Sequence, residues 1–288
     1  MTPRAVALVV VLASSAFGVR VASRQVPTFS SKIDTVRVDV MVTDRQQPVL
    51  GLQPKDFAVT DSGVPQTVDL VTFEQIPLNV VLALDMSDSV EGERLGQLRA
   101  AGEAVIDALK PDDKAGLLTF GTAVSLRMGL TADAARVRAA LNVPPNAGDT
   151  ALVDASYSAM ALTGSDSGRP LVIVFSDGAD TASFLTPAAV LTSAKRGDAV
   201  VYAVSSNAPG QTTFLRDLCD LTGGRVLSVE SMRNLGSTFV GILDEFRHRY
   251  LISYTPRGVS KDGWHPLEVR INGRRAAVKA RPGYLAGR

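Results

Sequence analysis

Five oxygen-bearing side chains follow apolar segments of the sequence, and their types suit a hard metal ion. Carboxylates and hydroxyls supply oxygen ligands, and Mg²⁺ takes six oxygens in a near-octahedral array while keeping several waters. Because only two of the five are carboxylates, a divalent ion bound among them keeps part of its positive charge. The candidate ligands are Asp85, Ser87 and Ser89 in NVVLALDMSDSV, Thr150 in NAGDTALVDA, and Asp177 in VIVFSDGADT.

A metal ion with remaining charge and an open coordination position can accept a carboxylate from outside the protein. The pattern therefore predicts that the chain binds an acidic side chain on another protein. Zinc fits these residues poorly, because zinc sites are built mainly from cysteine and histidine. The only histidines, His248 and His265, lie far from the three segments in the sequence.

The segments that carry the candidate ligands read as buried strands of an α/β sheet. The run from Asn79 to Asp85 is almost continuously apolar, which is typical of a parallel strand covered on both faces. From there to Arg247, strand-like runs alternate with segments of helical spacing. This alternation predicts an α/β fold with a doubly wound, mostly parallel sheet flanked by helices. Ligands bind beyond the carboxyl ends of the strands in such sheets, so the three segments can meet at one edge.

The two ends of the chain have a different pattern. TVRVDVMVTD and HPLEVRING alternate apolar and polar residues, as half-buried strands do, and DFAVTDSGVPQTVDLVTFE predicts two short strands around a Gly-Val-Pro turn. Because two strands alone are marginally stable, we expect the ends to pair as one small antiparallel β module with the α/β domain inserted. The predicted boundaries are 32–76 and 249–288 for the β segments and 77–248 for the α/β domain.

The first residues have the layout of a secretory signal peptide. MTPRAVALVVVLASSAFGVRVAS has one arginine, a short apolar stretch and then small residues, which predicts a signal peptide over 1–23 rather than a membrane-spanning helix. We therefore expect an exported protein, located in the periplasm, at the cell surface or outside the cell. No other segment reaches the length of a transmembrane helix. Cys219 is the only cysteine, so no internal disulfide is expected.

Composition and motifs argue against several ligand classes. The net charge is +1 and the basic residues are spread along the chain, so the electrostatic signature of a nucleic-acid-binding protein is missing from the sequence. Neither of the usual glycine-rich phosphate-binding motifs occurs, so no nucleotide is expected.

The three candidate segments together resemble the metal-ion-dependent adhesion site of von Willebrand factor type A domains. The resemblance rests on the D-x-S-x-S pattern from Asp85 to Ser89, followed by Thr150 and Asp177, and it covers about Asn79 to Arg247. The flanking segments resemble exported bacterial proteins that carry a type A domain between β segments. The resemblance implies metal-dependent adhesion to a protein partner, without enzymatic activity.

The resemblance also implies roles for individual residues. Ser87, Ser89 and Thr150 would ligate Mg²⁺, Mn²⁺ or Ca²⁺ directly, while Asp85 and Asp177 would act directly or through water. One departure is visible, because an aspartate precedes Thr150 where bacterial members often have a second glycine. Three further acids could lie behind the direct ligands: Asp88, Asp149 and Asp180.

Two other functions remain open at this stage. The chain could be an assembly scaffold in which the metal only staples the fold, or in which the site is degenerate and Ser89 and Thr150 merely cap helices. A metal-dependent hydrolase is less expected. A dehalogenase-type phosphatase needs a second aspartate where Ser87 stands, and the nucleophile-elbow motif G-x-S-x-G is missing from FSDGAD.

Overall fold

The computed structural model describes residues 35–88, 90–142, 144, 148–164, 167–176, 179–206 and 213–287. Within these ranges, no helix is both long enough and apolar enough to cross a lipid bilayer. The predicted signal peptide over 1–23 lies outside the described residues.

A six-stranded sheet forms the centre of the α/β domain. Five strands are parallel, and the edge strand β8 is antiparallel to its neighbour. The two middle strands, β6 and β9, are buried along their whole length, which explains why their sequences are nearly continuous apolar runs. In spatial order the strands are β11 (Val226–Ser228), β10 (Val200–Ser205), β9 (Arg169–Phe175), β6 (Leu78–Asp85), β7 (Lys114–Phe120) and β8 (Val124–Thr131).

Helices cover both faces of this sheet. One face packs against α1, α2 and α6, and the other against α3, α4 and α5, so the domain has two apolar cores. This arrangement confirms the predicted doubly wound α/β fold. The helices are α1 (Glu93–Asp107), α2 (Ala134–Leu141), α3 (Leu152–Thr163), α4 (Pro187–Ala194), α5 (Thr213–Thr222) and α6 (Leu235–Arg247), with short 3-10 helices at Pro54–Asp56 and Met232–Asn234.

The two ends of the chain pair with each other in antiparallel sheets, as predicted, but they form two small sheets where one was expected. The first has the order β14-β1-β12-β5, with β2 also paired to β1, and the second has the order β15-β13-β3-β4. In the first sheet, strands from the two ends of the chain alternate, since β1 lies between β12 and β14. The strands are β1 (Val36–Asp44), β2 (Gln47–Pro48), β3 (Phe57–Asp61), β4 (Val64–Gln66), β5 (Leu70–Phe73), β12 (Tyr250–Tyr254), β13 (Gly263–Ile271), β14 (Ala277–Lys279) and β15 (Gly283–Ala286).

The segment between residues 57 and 73 differs from the prediction of two strands around Gly-Val-Pro. The structure has three strands there, and the first turn is Ser62-Gly63, both with positive φ (51° and 81°). Two such residues make the tight hairpin turn that matches strand twist. Val64 and Pro65 therefore begin a strand instead of making the turn, and Asp61 pairs with Val64 across the hairpin.

Buried arginines attach the β module to the amino ends of the parallel strands. Arg169, the first residue of β9, forms a buried ion pair with Asp39 of β1 and lies 4.7 Å from the centre of the Phe246 ring. Arg281 donates hydrogen bonds to the backbone oxygens of Lys195 and Gly197, just before β10. The module therefore lies at the opposite end of the sheet from Asp85, and the carboxyl edge of the strands is left to the loops.

Asp113 fixes the start of β6, the strand that ends in Asp85. Its carboxylate accepts hydrogen bonds from the Leu78 and Lys110 N–H groups (2.8 and 2.7 Å) and pairs with Arg247 at the end of α6. Burial raises the pKa of Asp113, but these hydrogen bonds and the Arg247 charge outweigh it and hold the pKa below its ordinary value. One buried carboxylate thus joins β6 to α6.

Asp113→Asn should lower the free energy of unfolding by about 3 kcal/mol at neutral pH, because the largely buried Arg247 loses its counter-charge. The pKa of Asp113 is depressed in the folded state, so wild type has this stabilisation in full above about pH 5 and loses it as the pH falls below 3.8. Denaturant titrations of both proteins at neutral and acidic pH should show the difference shrinking in acid. A difference that is independent of pH would contradict the assigned ion pair.

Candidate metal centre

Asp85 is the last residue of β6, and its carboxylate is fully buried. One oxygen, Oδ1, accepts hydrogen bonds from the Ser87 N–H (3.1 Å) and the Ser87 hydroxyl (2.6 Å). The other, Oδ2, accepts one from the Ser176 hydroxyl at 2.8 Å. Both serine protons therefore point at the carboxylate. A hydroxyl that donates its proton in this way acts as an acceptor, or as a metal ligand, toward any other group.

Ser176 is a residue of the site that the sequence analysis missed. It directly follows β9, is fully buried, and reaches across to Asp85 on the neighbouring strand. Its backbone N–H donates to the Val204 oxygen of β10 at 3.2 Å. The only signal in the sequence was its position next to Asp177, and a serine there reads as an ordinary loop residue.

Thr150 lies just before α3 and is 7% exposed. Its backbone binds the loop at 179–186, because its N–H donates to the Thr181 hydroxyl at 2.9 Å and its oxygen accepts from the Thr181 and Ala182 N–H groups. Its own hydroxyl makes no hydrogen bond to another residue in the described part of the chain. Asp180 and Ser183 instead accept from the N–H groups of Val153 and Asp154 in the first turn of α3. The Thr150 hydroxyl is therefore not used as a helix cap.

Hydrogen bonds tie the loop after β6 to the loop before α3. Asp88 Oδ1 accepts from the Gly148 N–H at 2.7 Å, and the Asp88 N–H approaches the Gly148 oxygen at 3.4 Å. Gly148 has φ +98°, and a Cβ there would lie 2.3 Å from the Thr122 hydroxyl, so only glycine fits. The Asp149 N–H donates to that same hydroxyl at 3.1 Å. The loops that carry Ser87 and Thr150 are thus held together directly.

The three additional acids have different surroundings. Asp180 Oδ1 accepts from the Val153 N–H and the Ser183 hydroxyl, so its charge lies at the start of α3. Asp88 holds the Gly148 loop and is exposed, and Asp149 is exposed as well. Two of the three acids therefore organise loops. Ser89 and Asp177, the remaining candidate ligands, lie outside the described residues.

The donor groups present fit a hard cation better than a zinc-type site. Among the described residues, no three His, Cys, Asp or Glu side chains are grouped as metal ligands. Two hydroxyl groups lie at this edge instead: that of Ser87, which donates to Asp85, and that of the largely buried Thr150, which makes no hydrogen bond within the described part of the chain. Oxygen ligands of this kind suit Mg²⁺, Mn²⁺ or Ca²⁺. Asp85, Ser87 and Thr150 could therefore hold part of the coordination shell.

Both histidines make hydrogen bonds away from this edge. His248 Nδ1 lies 2.6 Å from the Asp244 backbone oxygen at the end of α6. His265 Nδ1 lies 2.8 Å from the buried Asp61 carboxylate in the β module. Neither imidazole is placed to take a proton from Ser87, which a serine hydrolase would require.

Comparison with known proteins identifies the family. A family model described as the von Willebrand factor type A domain matches residues 79–240, more than half of the chain. Proximal thread matrix protein 1 from the mussel byssus is similar in structure (TM-score 0.55, 16% identity, 65% of this chain and 50% of that chain). Another structure of that protein, described as having a zinc-occupied MIDAS motif, has TM-score 0.55, 15% identity and coverages of 65% and 49%.

A minor pilin gives a similar result. The PilB minor pilin from Streptococcus sanguinis matches with TM-score 0.51 and 14% identity, over 60% of this chain and 62% of that chain. Identities this low show a shared fold only, and the chain spans about half the length of the mussel protein. No curated protein matches the chain. The family match over 79–240 and the shared fold agree: the chain belongs to the von Willebrand factor type A domain family, whose members generally mediate protein–protein interactions.

Proposed function

We propose that the chain binds a divalent cation at the carboxyl edge of its central sheet and uses it to bind an acidic side chain of another protein. The cation would be Mg²⁺, Mn²⁺ or Ca²⁺, and its bound form would supply a Lewis-acidic position for the incoming carboxylate. The observation that carries the proposal is the hydroxyl of Thr150, a residue that is largely buried and whose hydroxyl makes no hydrogen bond within the described part of the chain. The proposed ligands are Asp85, Ser87, Ser89, Thr150 and Asp177.

Asp85 acts mainly by orienting its neighbours in this proposal. Both of its oxygens already accept hydroxyl protons, from Ser87 and Ser176. The carboxylate would therefore hold the Ser87 oxygen in place for the cation, and would itself act on the cation directly or through water. Hydroxyl ligands add no negative charge, so the bound ion stays attractive to a carboxylate from outside.

The surroundings of the site support access by a partner. Ser87 and Thr150 lie just beneath the surface, with 3% and 7% of each residue exposed. Their neighbours in the sequence, Asp88 and Asp149, are exposed. The proposed site therefore lies close to the surface, and the positive charge of a bound cation would be needed to attract a partner carboxylate past these two acids.

The scaffold alternative receives less support from the loops. A stapling metal would be needed if the loops depended on it for their arrangement. Asp88 and Gly148 already join the first two loops, and Thr150 and Thr181 join the third. Because hydrogen bonds within the protein already hold the loops together, a metal ion would not be needed to arrange them. Its proposed role is therefore to bind a partner.

Export of the protein is part of this proposal. It rests on the layout of residues 1–23 and is compatible with a single buried cysteine, Cys219, whose thiol pKa is raised by burial. A partner would then be met in the periplasm, at the cell surface or outside the cell. The expected source is bacterial.

Thr150→Val should weaken Mg²⁺ binding by about tenfold or more, because valine keeps the shape of threonine and removes only the hydroxyl oxygen. Isothermal titration of Mg²⁺ into chelator-treated protein measures this directly. Thr192→Val is the matched control, since the Thr192 hydroxyl bonds only the Ala188 oxygen within α4 and is exposed. Equal affinities for wild type and Thr150→Val would remove Thr150 from the site.

The acidic partner is tested with peptides. Immobilised full chain is used to select from a display library of random short peptides in Mg²⁺, with elution by EDTA. Eluted clones should share an Asp or Glu, and changing that residue to Asn or Gln should abolish binding, because the amide cannot replace a charged metal ligand. Asp85→Ala, which frees the Ser87 and Ser176 hydroxyls, should select none of these clones.

Two controls separate loss of binding from loss of fold. Circular dichroism of Asp85→Ala in EDTA should show the folded spectrum of wild type, with a melting temperature lowered by only a few degrees because the Ser87 and Ser176 hydroxyls lose their acceptor. If EDTA lowers the melting temperature strongly and no EDTA-eluted clones appear, the metal is a staple and the proposed function is wrong.

A further inference from the structure

Phe184 is almost completely exposed, although the loop that carries it is firmly held. Its exposed fraction is 96%, and the next residue, Leu185, is 37% exposed. Among the other large apolar residues that the structure describes, the highest exposed fractions are 61% for Leu126 and 60% for Leu50. A Phe side chain carries about 150–250 Å² of apolar surface, and here nearly all of it faces water.

The backbone on both sides of Phe184 is fixed to the start of α3. The carboxylate of Asp154, in the first turn of α3, accepts from the Phe184 N–H and from the Leu185 N–H, each at 2.9 Å. In return, the Asp154 N–H donates to the Ser183 hydroxyl at 3.0 Å. The phenyl group is therefore presented on a preorganised loop and is not a loose loop tip.

The same loop also holds a proposed metal ligand. Thr181 binds the Thr150 backbone in both directions, donating its N–H to the Thr150 oxygen and accepting from the Thr150 N–H. Thr181 is bonded to the Thr150 backbone, and Phe184 follows Thr181 by three residues in the same loop. The loop that presents Phe184 is therefore attached directly to the segment that carries the proposed ligand Thr150, at the carboxyl edge of the sheet.

We propose that Phe184 is an apolar contact for the protein that the metal centre binds, and that this partner carries an apolar residue close to its acidic side chain. The inference rests on the proposed function. Its physical basis is water exclusion, because apolar groups packed around a cation–carboxylate contact lower the local dielectric constant and strengthen it. Phe184 would thereby add specificity for the residues that flank the acid.

A second copy of this chain is a weaker candidate for the occupant. A stable protein interface buries about 1,200–2,000 Å² in total, and one phenyl group with part of a leucine supplies a small fraction of that area. A short acidic and apolar motif needs only the cation, Phe184 and Leu185 as contacts. The exposed area therefore favours a motif on a partner over self-association.

The test uses the peptides eluted by EDTA from wild-type full chain. Apolar residues should be enriched within two positions of the shared acid, and the affinity of such a peptide in Mg²⁺ should fall about tenfold or more on Phe184→Ser. Leu70→Ser is the matched control, since Leu70 is 58% exposed in β5 of the β module, at the other end of the molecule. Mg²⁺ affinity without peptide should be the same in all three proteins.

Each other outcome decides against the inference in a distinct way. Acidic clones without apolar enrichment, or a peptide affinity unchanged by Phe184→Ser, would overturn the role of Phe184 while the metal-dependent function stands. Failure to obtain any EDTA-eluted clone would refute the proposed function and this inference with it. A dimer of wild type in sedimentation that Phe184→Ser abolishes would identify Phe184 as a self-contact and overturn the proposal.

Discussion

The structure depends on a buried carboxylate at the end of a fully buried strand. Asp85 has no access to water, so its oxygens must be satisfied by protein donors, and burying it without them would be costly. Ser87 and Ser176 supply those donors from two adjacent loops. The requirement to satisfy Asp85 therefore fixes the position of the Ser87 hydroxyl, which is also a proposed ligand of the cation. The same hydrogen bonds therefore stabilise the end of β6 and determine the geometry of the site.

The rest of the fold leaves this edge free for binding. The β module is attached at the amino ends of the strands through Arg169 and Arg281. Asp113 anchors the start of β6 beside α6. These three residues act at the amino ends of the parallel strands. The loops at the carboxyl edge are therefore positioned by hydrogen bonds among themselves. The β module formed by the terminal segments therefore does not cover the candidate metal centre.

Much of this architecture could be predicted from the sequence, because periodicity reports local burial. Continuous apolar runs such as Asn79 to Asp85 predicted the central strands, and alternation predicted the terminal sheets. The spacing from Asp85 to Ser87, with Thr150, placed candidate ligands on loops that the structure joins. The role of Ser176 could not be predicted, because its contact with Asp85 crosses from one strand to another far along the chain.

In the β module, too, the sequence did not reveal which side chains distant along the chain contact one another. Asp61 accepts hydrogen bonds from Tyr254 and Tyr284 (2.9 and 2.8 Å) and lies beside His265, joining strands of both small sheets. Burial raises the pKa of both tyrosines, and their hydrogen bonds to Asp61 raise it further. Periodicity marks such positions as inward-facing but does not say which polar groups meet. The same limit applied to Asp180: nothing in the sequence indicated that its carboxylate accepts a hydrogen bond from the start of α3.

The central claim is that serine and threonine hydroxyls from separate loops face one cation. Anomalous diffraction from crystals of the full chain grown with Mn²⁺ tests it most directly, because the anomalous signal locates the ion itself. The account predicts a single peak at the carboxyl edge of the sheet, within coordination distance of the Ser87 and Thr150 hydroxyl oxygens. A Mn²⁺ peak elsewhere, or none at this edge with the loops unchanged, would contradict it.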